Sequence, residues 1–96
     1  MFLIVTKYVK PLNEIDKHLA AHRAHLAKYY ADGKLIMSGP QQPRTGGVLL
    51  AHNFTREEVE TFMQVDPFTI AGVSDYTITE FLPVKYAAEL EGLLKS

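Results

Sequence analysis

The chain has 96 residues, of which 47% are apolar and 22% charged, enough for one compact domain over residues 1–96 but not for two hydrophobic cores. Ten basic and eleven acidic residues give a formal net charge of −1 with no run of either sign, so the chain lacks the electrostatic footprint of a nucleic-acid-binding protein. Because there is no cysteine, no disulfide can reinforce so small a core, and this favours an oligomer.

The first part of the chain is predicted to contain two strands separated by one helix. Residues 2–9 are rich in β-branched and aromatic side chains and end before Pro11, as expected of a strand. An apolar stripe then recurs at spacings of three, four, seven and four, formed by Leu12, Ile15, Leu19, Leu26 and Tyr30, and it predicts a helix over residues 13–31, closed by Asp32-Gly33. The segment KLIMSGP (34–40) is predicted to be the second strand.

The apolar segment at the start of the chain does not have the features of a targeting signal. It has no basic leader, no small-residue cleavage site follows it, and it is too short to span a membrane. The absence of cysteine agrees with a reducing compartment. We therefore expect a cytoplasmic protein that binds neither membrane nor nucleic acid.

The middle of the chain is predicted to form a loop, a third strand and a second helix. The turn-rich loop QQPRTGG (41–47) leads into the strand VLLAHNF (48–54). Thr55 and Glu58 have the spacing of a capping box, which marks the start of a helix. That helix is expected to end at Asp66-Pro67, because the residue before a proline is disfavoured in the α conformation.

The last quarter of the chain is predicted to form a strand and a short helical tail. A connection over residues 68–75 leads to the fourth strand, YTITEFLPV (76–84). The tail, residues 84–96, has leucines on one side of a helical pattern, although Gly92 weakens it.

The resulting order β-α-β-β-α-β is the split βαβ arrangement of an α+β, ferredoxin-like sandwich. Two helices can cover only one face of a four-stranded sheet, yet Leu3 and Val5 point away from Phe2 and Ile4 and make the other face apolar. We expect this face to expose an apolar patch on the order of several hundred Å², and a patch of that size normally marks an interface. We therefore expect a homodimer packed sheet to sheet with the tail at its seam; a monomer with an apolar face is the alternative.

Three of the four histidines fall within the stretch HLAAHRAHL (18–26) of the first predicted helix. Successive residues of a helix are rotated by about 100° around its axis. Measured from the direction of Leu19, His22 lies at about −60°, on the margin of the apolar stripe. His18 and His25 fall at about −100° and −120°, further toward solvent, and are expected on the surface. His52 is expected to be a histidine at a sheet end or in a loop.

The spacing of these histidines also permits a metal site. His18 and His22 are four apart and His22 and His25 are three apart, and both spacings can present two nitrogens to one ion. A zinc site needs a third and usually a fourth protein ligand, and neither cysteine nor a neighbouring carboxylate supplies one. We expect no bound metal; a structural metal protein stays the alternative, which the metal content of the purified protein would settle.

Asp66 differs from the other carboxylates because it extends the apolar side of the second predicted helix. One interpretation is structural: Asp66 stabilises the turn before Pro67 through an Asx-type hydrogen bond. The other is functional: both helices of a split βαβ domain lie on the same face of the sheet, so Asp66 can meet His22 there. Spacing alone does not decide between the two.

Three short segments in order give the chain its resemblance to the YCII-related (YciI-like) domain family. They are Ala21-His22, the segment DGKLIMSGP (32–40) and the segment DPFTIAGV (66–73). PRTGGVLLA (43–51) resembles a subgroup of that family. The resemblance implies a dimeric α+β barrel fold and an active site centred on a histidine and an aspartate, which by position are His22 and Asp66.

The family's reactions are mostly unassigned, although one member is a dehydrochlorinase of a chlorinated hydroxyquinol. From the residues and this resemblance we expect a lyase or isomerase that needs no cofactor and acts on a small cyclic or aromatic substrate. His22 would be the general base or acid, and Asp66 would orient it. The alternative is a ligand-binding or accessory protein without catalytic activity. No glycine-rich phosphate loop or dinucleotide fingerprint is present, which argues against NAD, flavin and ATP.

Two further residues are candidates for substrate binding. Ser38 can donate a hydrogen bond to substrate, although a small residue that fits a tight strand end explains it more simply. Arg44 can bind an anionic group, with Gly46 and Gly47 allowing the loop to move, and an arginine in a solvated loop is the equally good alternative.

Overall fold

The computed structural model describes residues 1–94, whose four strands form one antiparallel sheet. The strands are β1 (Phe2–Tyr8), β2 (Leu35–Pro40), β3 (Gly46–Ala51) and β4 (Ser74–Glu80), in the order β2-β3-β1-β4. The helices are α1 (Leu12–Asp16), α2 (Leu19–Ala31), α3 (Arg56–Gln64), α4 (Pro67–Ile70) and α5 (Glu91–Leu94). This is the predicted ferredoxin-like α+β fold, which is thereby confirmed.

Several elements differ from their predicted bounds, and β3 runs over Gly46–Ala51 where a strand over 48–54 was predicted. The helix expected over 13–31 is broken at Lys17 and His18 into α1 and α2, and the break accompanies the complete burial of Ile15 in α1. The predicted connection 68–75 contains the one-turn helix α4, which starts at Pro67. Strand β4 begins at Ser74 and ends at Glu80, earlier than expected at both ends.

The core lies between the sheet and the helices on one of its faces. Ile4 of the central strand pairs with Leu49 on one side and Ile78 on the other, and is itself completely buried. Val59, Phe62 and Met63 of α3 and Leu26 of α2 complete this layer. Burial of a side chain as large as Phe62 contributes about 2–3 kcal/mol relative to leaving it in water.

The opposite face of the sheet carries no helix among residues 1–94. Met37 on this face is 57% exposed and Leu3 is 37% exposed. Together with Val48 and Leu50 they line a shallow groove. The apolar open face predicted from the strand pattern is therefore present in the chain.

The capping box at the start of α3 is confirmed. The backbone N–H of Glu58 donates to Thr55 Oγ1 at 3.1 Å, and the backbone N–H of Thr55 donates to Glu58 Oε1 at 2.8 Å. These hydrogen bonds to Thr55 stabilise the ionised form and hold the pKa of Glu58 below its usual value.

The C-terminal segment runs past the sheet into a short helical turn. A 3₁₀ turn, Ala88–Leu90, precedes α5, in agreement with the predicted helical character of the tail; its last two residues, 95 and 96, lie outside the described part. Leu82 and Val84, between β4 and this turn, are 82% and 77% exposed. Within residues 1–94, no helix combines the length and apolarity that a membrane span needs.

Gly46 and Gly47 lie in β3 and not in a mobile loop, so the expected role in loop movement is wrong. Gly46 pairs with Lys7 and Gly47 with Thr6 of β1. A Cβ atom on Gly46 would lie 1.9 Å from the carbonyl oxygen of Thr6. The glycine is therefore required by the close approach of two backbones.

We expect Gly46→Ala to lower the free energy of unfolding by at least about 3 kcal/mol, because the backbone of β1 or β3 must shift to admit the new methyl group. Urea titration of both this variant and Gly92→Ala measures the effect. Gly92 lies in α5 with no atom near its virtual Cβ, so its substitution should be neutral or slightly stabilising. Equal stability of the two variants would contradict the close approach.

Candidate active site

His22 of α2 and Asp66, which lies between α3 and α4, form a hydrogen-bonded pair. His22 Nδ1 lies 3.0 Å from Asp66 Oδ1 and 2.9 Å from Asp66 Oδ2. Asp66 is only 1% exposed, whereas the side chain of His22 keeps 15% of its surface accessible. The aspartate is thus the buried partner and the histidine the one that reaches solvent.

Asp66 also starts the one-turn helix α4. Its Oδ1 accepts a hydrogen bond of 2.8 Å from the backbone N–H of Phe68, which makes Asp66 the N-cap of that helix. The Asx-type turn and the partnership with His22 were alternatives from the sequence, and in the structure the same carboxylate makes both contacts. Three N–H···O contacts offset the large free-energy cost of burying a carboxylate.

The hydrogen bonds determine which nitrogen of His22 faces away from Asp66. An ionised carboxylate only accepts, so His22 Nδ1 carries the hydrogen and donates it to Asp66. The ring of His22 makes no other hydrogen bond with residues 1–94, and Nε2 lies on the opposite edge of the imidazole. In the neutral ring Nε2 is then an acceptor.

Phe68 holds the imidazole in place. The rings of His22 and Phe68 stack with centroids 4.0 Å apart and planes 9° apart. The edge of Tyr8 packs against Phe68 at 6.1 Å and 83°. Because Phe68 is nearly fully buried, it offers the imidazole a fixed surface to pack against.

A cleft of about 380 Å³ lies beside this pair. Thr6 and Tyr8 of β1 and Leu49 of β3 contribute from the sheet, and His22 contributes from α2. This volume is at the small end of the range for ligand sites and fits a molecule of about one ring. The other residues around the cleft are Leu19, Arg23, Leu26, Ser38, Gly39, Pro40, Arg44, Gly47, Val48 and Phe68.

Ser38 and Arg44, the two candidates for substrate binding, both line the cleft. Ser38 Oγ lies 2.6 Å from the hydroxyl oxygen of Tyr30, so the serine links β2 to α2. Arg44 Nη2 donates to Asp16 Oδ1 at 2.6 Å, and this hydrogen bond raises the pKa of the guanidinium. The arginine is thus held by a partner, and its role toward a substrate stays a prediction.

The expectation that His25 is a surface residue is wrong. His25 is half-buried; its Nε2–H donates to the backbone oxygen of Phe62 at 2.9 Å, and its ring stacks on Phe62 at 5.0 Å. His18, at the N-terminal cap position of α2, is half-buried as well.

The reason is that the buried face of α2 is not centred on Leu19. Tyr30, predicted within the apolar stripe, is 39% exposed, whereas Tyr29, at about −80°, packs against the core. The centre of the face lies nearer the direction of His22. This histidine therefore points more directly at the sheet than its predicted position on the margin suggested.

Tyr8, Phe68 and Arg23 also contribute to the cleft and were not predicted to do so. The alternation of β1 puts Tyr8 on the same face as Ile4, and the helical phase puts Arg23 at about +40°, near the apolar stripe, so both could have been found from the pattern. The role of Phe68 depends on α4, which has no periodic signal.

The fourth histidine, His52, is not among the residues that line the cleft. His52 is buried directly after β3, as expected of a sheet-end histidine. In the part of the chain that the structure describes, no three His, Cys, Asp or Glu side chains are grouped so that they could hold a metal ion.

Comparisons with known proteins agree with this fold. The family model for the YCII-related domain matches residues 1–82. The uncharacterized protein YjpA of Bacillus subtilis (strain 168) is 30% identical over 80 residues, which is 83% of this chain and 92% of YjpA.

A similar solved structure is that of 5-chloro-2-hydroxyhydroquinone dehydrochlorinase (TftG) from Burkholderia phenoliruptrix AC1100, in complex with 2,5-dihydroxybenzoquinone. It superposes with a TM-score of 0.71 at 26% identity, covering 85% of this chain and 94% of the dehydrochlorinase. A protein of the same fold is thus a dehydrochlorinase and binds a small ring compound.

The two contacts of Asp66 can be separated by substitution. We expect Asp66→Ala to lower the free energy of unfolding by about 2–4 kcal/mol, since two N–H donors lose their acceptor in a buried place. Asp66→Asn, which keeps Oδ1 for the N–H of Phe68, should cost less, and Asp75→Asn on the exposed strand β4 should cost almost nothing. Urea titration measures all three.

The same variants should change the tautomer of His22. In ¹⁵N NMR spectra at alkaline pH, we expect the neutral His22 ring of the unmodified protein to carry its hydrogen on Nδ1, and this preference should be lost in Asp66→Ala. Finding the hydrogen on Nε2 in the unmodified protein would contradict the assignment.

Proposed function

The chain belongs to the YCII-related domain family, and we propose that it is a lyase or isomerase that acts without a cofactor on a small cyclic or aromatic molecule. His22 would be the general base and acid of the reaction, and Asp66 would orient it. The observation that carries the proposal is the contact of His22 Nδ1 with both carboxylate oxygens of Asp66 beside a cleft of about 380 Å³.

The pair supplies what removal of a proton from carbon needs. With Nδ1–H held by Asp66, Nε2 of His22 is the free acceptor, and the buried carboxylate stabilises the imidazolium that forms. The stacked ring of Phe68 limits rotation of the imidazole, so the base is oriented before substrate binds. General-base catalysis of this kind accelerates a reaction by about 10²–10⁴-fold.

The proposed step begins at a C–H bond next to a carbonyl group, which a phenol offers in its keto form. Nε2 takes the proton, the electron pair of the C–H bond forms a double bond to the carbonyl carbon, and the π pair of the C=O bond moves onto the oxygen to give an enolate; the C=O bond re-forms when that electron pair returns. In a lyase the electrons expel a leaving group such as chloride on the neighbouring carbon. In an isomerase the imidazolium returns the proton to another carbon of the same molecule.

Ser38 and Arg44 would bind the substrate in this scheme. Both line the same cleft, and the hydroxyl of Ser38 and the guanidinium of Arg44 can donate to a carbonyl or phenolate oxygen. The dehydrochlorinase with the similar fold binds a dihydroxybenzoquinone, and a ring of that size suits the cleft described here. The scheme uses only proton transfers by side chains of the chain, and the sequence shows no phosphate loop or dinucleotide fingerprint of the kind that binds NAD, flavin or ATP.

We also propose that the chain forms a homodimer through the open face of its sheet. The apolar groove lined by Leu3, Met37, Val48 and Leu50 supports this proposal, because a monomer would leave it in water. The exposed side chains of Leu82 and Val84 support a contribution of the tail to the same interface. A second copy satisfies both surfaces with one contact.

The role of His22 is tested by comparing two histidines of the same region. We expect His22→Gln to lower turnover by about 10²–10⁴-fold, because no other base faces the substrate. His18→Gln is the matched control, since the side chain of His18 makes no capping hydrogen bond. Release of chloride from chlorinated hydroquinones and exchange of C–H hydrogens of cyclic ketones in D₂O measure the two reaction types.

Equal rates for the two variants would contradict the role of His22. If ligands still bound in the cleft, the protein would then be a ligand-binding module without catalysis, the alternative expected from the sequence. His22→Gln and His18→Gln proteins must show the same unfolding transition for the comparison to count.

The proposed interface is tested by placing a charge in the groove. We expect the unmodified protein to have twice the mass of one chain in light scattering, and Met37→Glu to have the mass of one chain, because burial of an unpaired carboxylate costs several kcal/mol. Gln64→Glu, the same kind of change on the exposed surface of α3, should leave the dimer intact. A monomeric unmodified protein would contradict the proposal.

A further inference from the structure

Two arginines line the cleft beside the His22–Asp66 pair. Arg23 is the residue after His22 on α2, and Arg44 lies in the connection between β2 and β3. Arg23 is exposed and the side chain of Arg44 keeps 34% of its surface accessible, so both guanidinium groups are open to an entering ligand. Of the two, only Arg44 was predicted from the sequence to bind an anionic group.

The charges around the cleft are balanced except at Arg23. Asp16 is bonded to Arg44, and Asp66 is bonded to His22 and to the backbone of Phe68. Glu14, the other carboxylate of α1, is bonded to Lys17 at 2.9 Å. The guanidinium of Arg23 has no hydrogen bond or ion pair with residues 1–94, so an anion in the cleft would be its first partner.

The side chain of Arg44 is held by two contacts. Asp16 takes one hydrogen bond from Nη2, and the guanidinium carbon lies 5.9 Å from the centroid of the Tyr8 ring. A guanidinium has five N–H donors, so the contact with Asp16 leaves others available. Because these contacts already restrict the side chain of Arg44, binding of a ligand would cost little further side-chain entropy.

The positions of the rings give the cleft two chemically different ends. Arg44 lies over Tyr8, Tyr8 packs against Phe68, and Phe68 stacks on His22. A flat ring bound in the cleft would have both the guanidinium of Arg44 and the imidazole of His22 among the groups that surround it. An anionic substituent and a reactive C–H bond on one ring fit these two ends.

We propose that Arg23 and Arg44 together bind a carboxylate of the substrate, which makes the substrate class a small cyclic or aromatic carboxylic acid. This inference rests on the proposed function, because it uses the same cleft. A carboxylate accepts from planar guanidinium donors in a paired geometry. A phosphate group is less suitable, since the sequence has no glycine-rich loop to surround it with backbone N–H groups.

The experiment compares two probes that differ only in a carboxylate, 2,5-dihydroxybenzoate and hydroquinone. Their dissociation constants are measured by NMR titration of the full chain at low ionic strength, with the ring signals of His22 reporting whether the cleft is occupied. We expect the unmodified protein to bind the acid about tenfold or more tightly than hydroquinone, because hydrogen bonds to a charged group are the strong ones.

The contribution of Arg23 is measured with Arg23→Gln and a matched control, Arg56→Gln. Arg56 lies on the exposed surface of α3 and pairs with Glu60 in the same helix. We expect Arg23→Gln to reduce the preference for the acid by about tenfold and to leave hydroquinone binding unchanged, whereas Arg56→Gln keeps the full preference. Added salt should reduce the preference in the unmodified protein.

The outcomes separate this inference from the proposed function. Equal affinity for both probes, or a preference that persists in Arg23→Gln, would overturn the carboxylate site while His22 could still act as the base on a neutral ring. If instead Arg23 is responsible for the preference for the acid and the His22→Gln protein has normal turnover, the carboxylate site is supported and the acid–base role of His22 is contradicted.

Discussion

The buried carboxylate of Asp66 is the constraint on which the candidate site depends. A carboxylate that is 1% exposed is stable only if donors surround it, and here the imidazole of His22 and the backbone N–H of Phe68 provide them. One donor is on α2 and the other begins α4, so the carboxylate fixes the two helices relative to each other. Phe68, placed by the same turn, then stacks on His22. The buried carboxylate of Asp66 therefore accounts both for the placement of α2 against α4 and for the direction in which Nε2 of His22 points.

The order of the elements could be predicted because its signals are local. The capping box at Thr55 and Glu58 fixes where α3 begins, and proline and glycine mark most strand ends. The break before His18 and the helix that starts at Pro67 were not predicted, because they accompany the burial of Ile15 and Phe68 against each other across 53 positions of sequence. No local pattern contains that contact.

Much of the site could also be predicted, and the exceptions are informative. Helical phase separated His22 from its neighbours, and the position of Asp66 at a helix end marked it among the carboxylates. The same phase was wrong for His25, since the buried face of a helix depends on what packs against it, here Phe62 of α3. For Gly46 the pattern suggested mobility, whereas the contact with the backbone of β1 is visible only once the strands pair.

The cleft and the apolar open face are separated by a single layer of sheet, and they share part of β2 and β3. Ser38, Gly39, Pro40 and Val48 line both the cleft and the groove on the opposite side. Successive side chains of a strand alternate between its faces, so Met37 belongs to the groove while its neighbour Ser38 faces Tyr30 and the cleft. A second copy seated on the groove would restrict the same strand that forms one wall of the cleft. Coupling between two binding events is reciprocal. The free energy by which such association would strengthen ligand binding equals the free energy by which the ligand would strengthen association. The coupling would run through the residues of β2 and β3 that the two surfaces share.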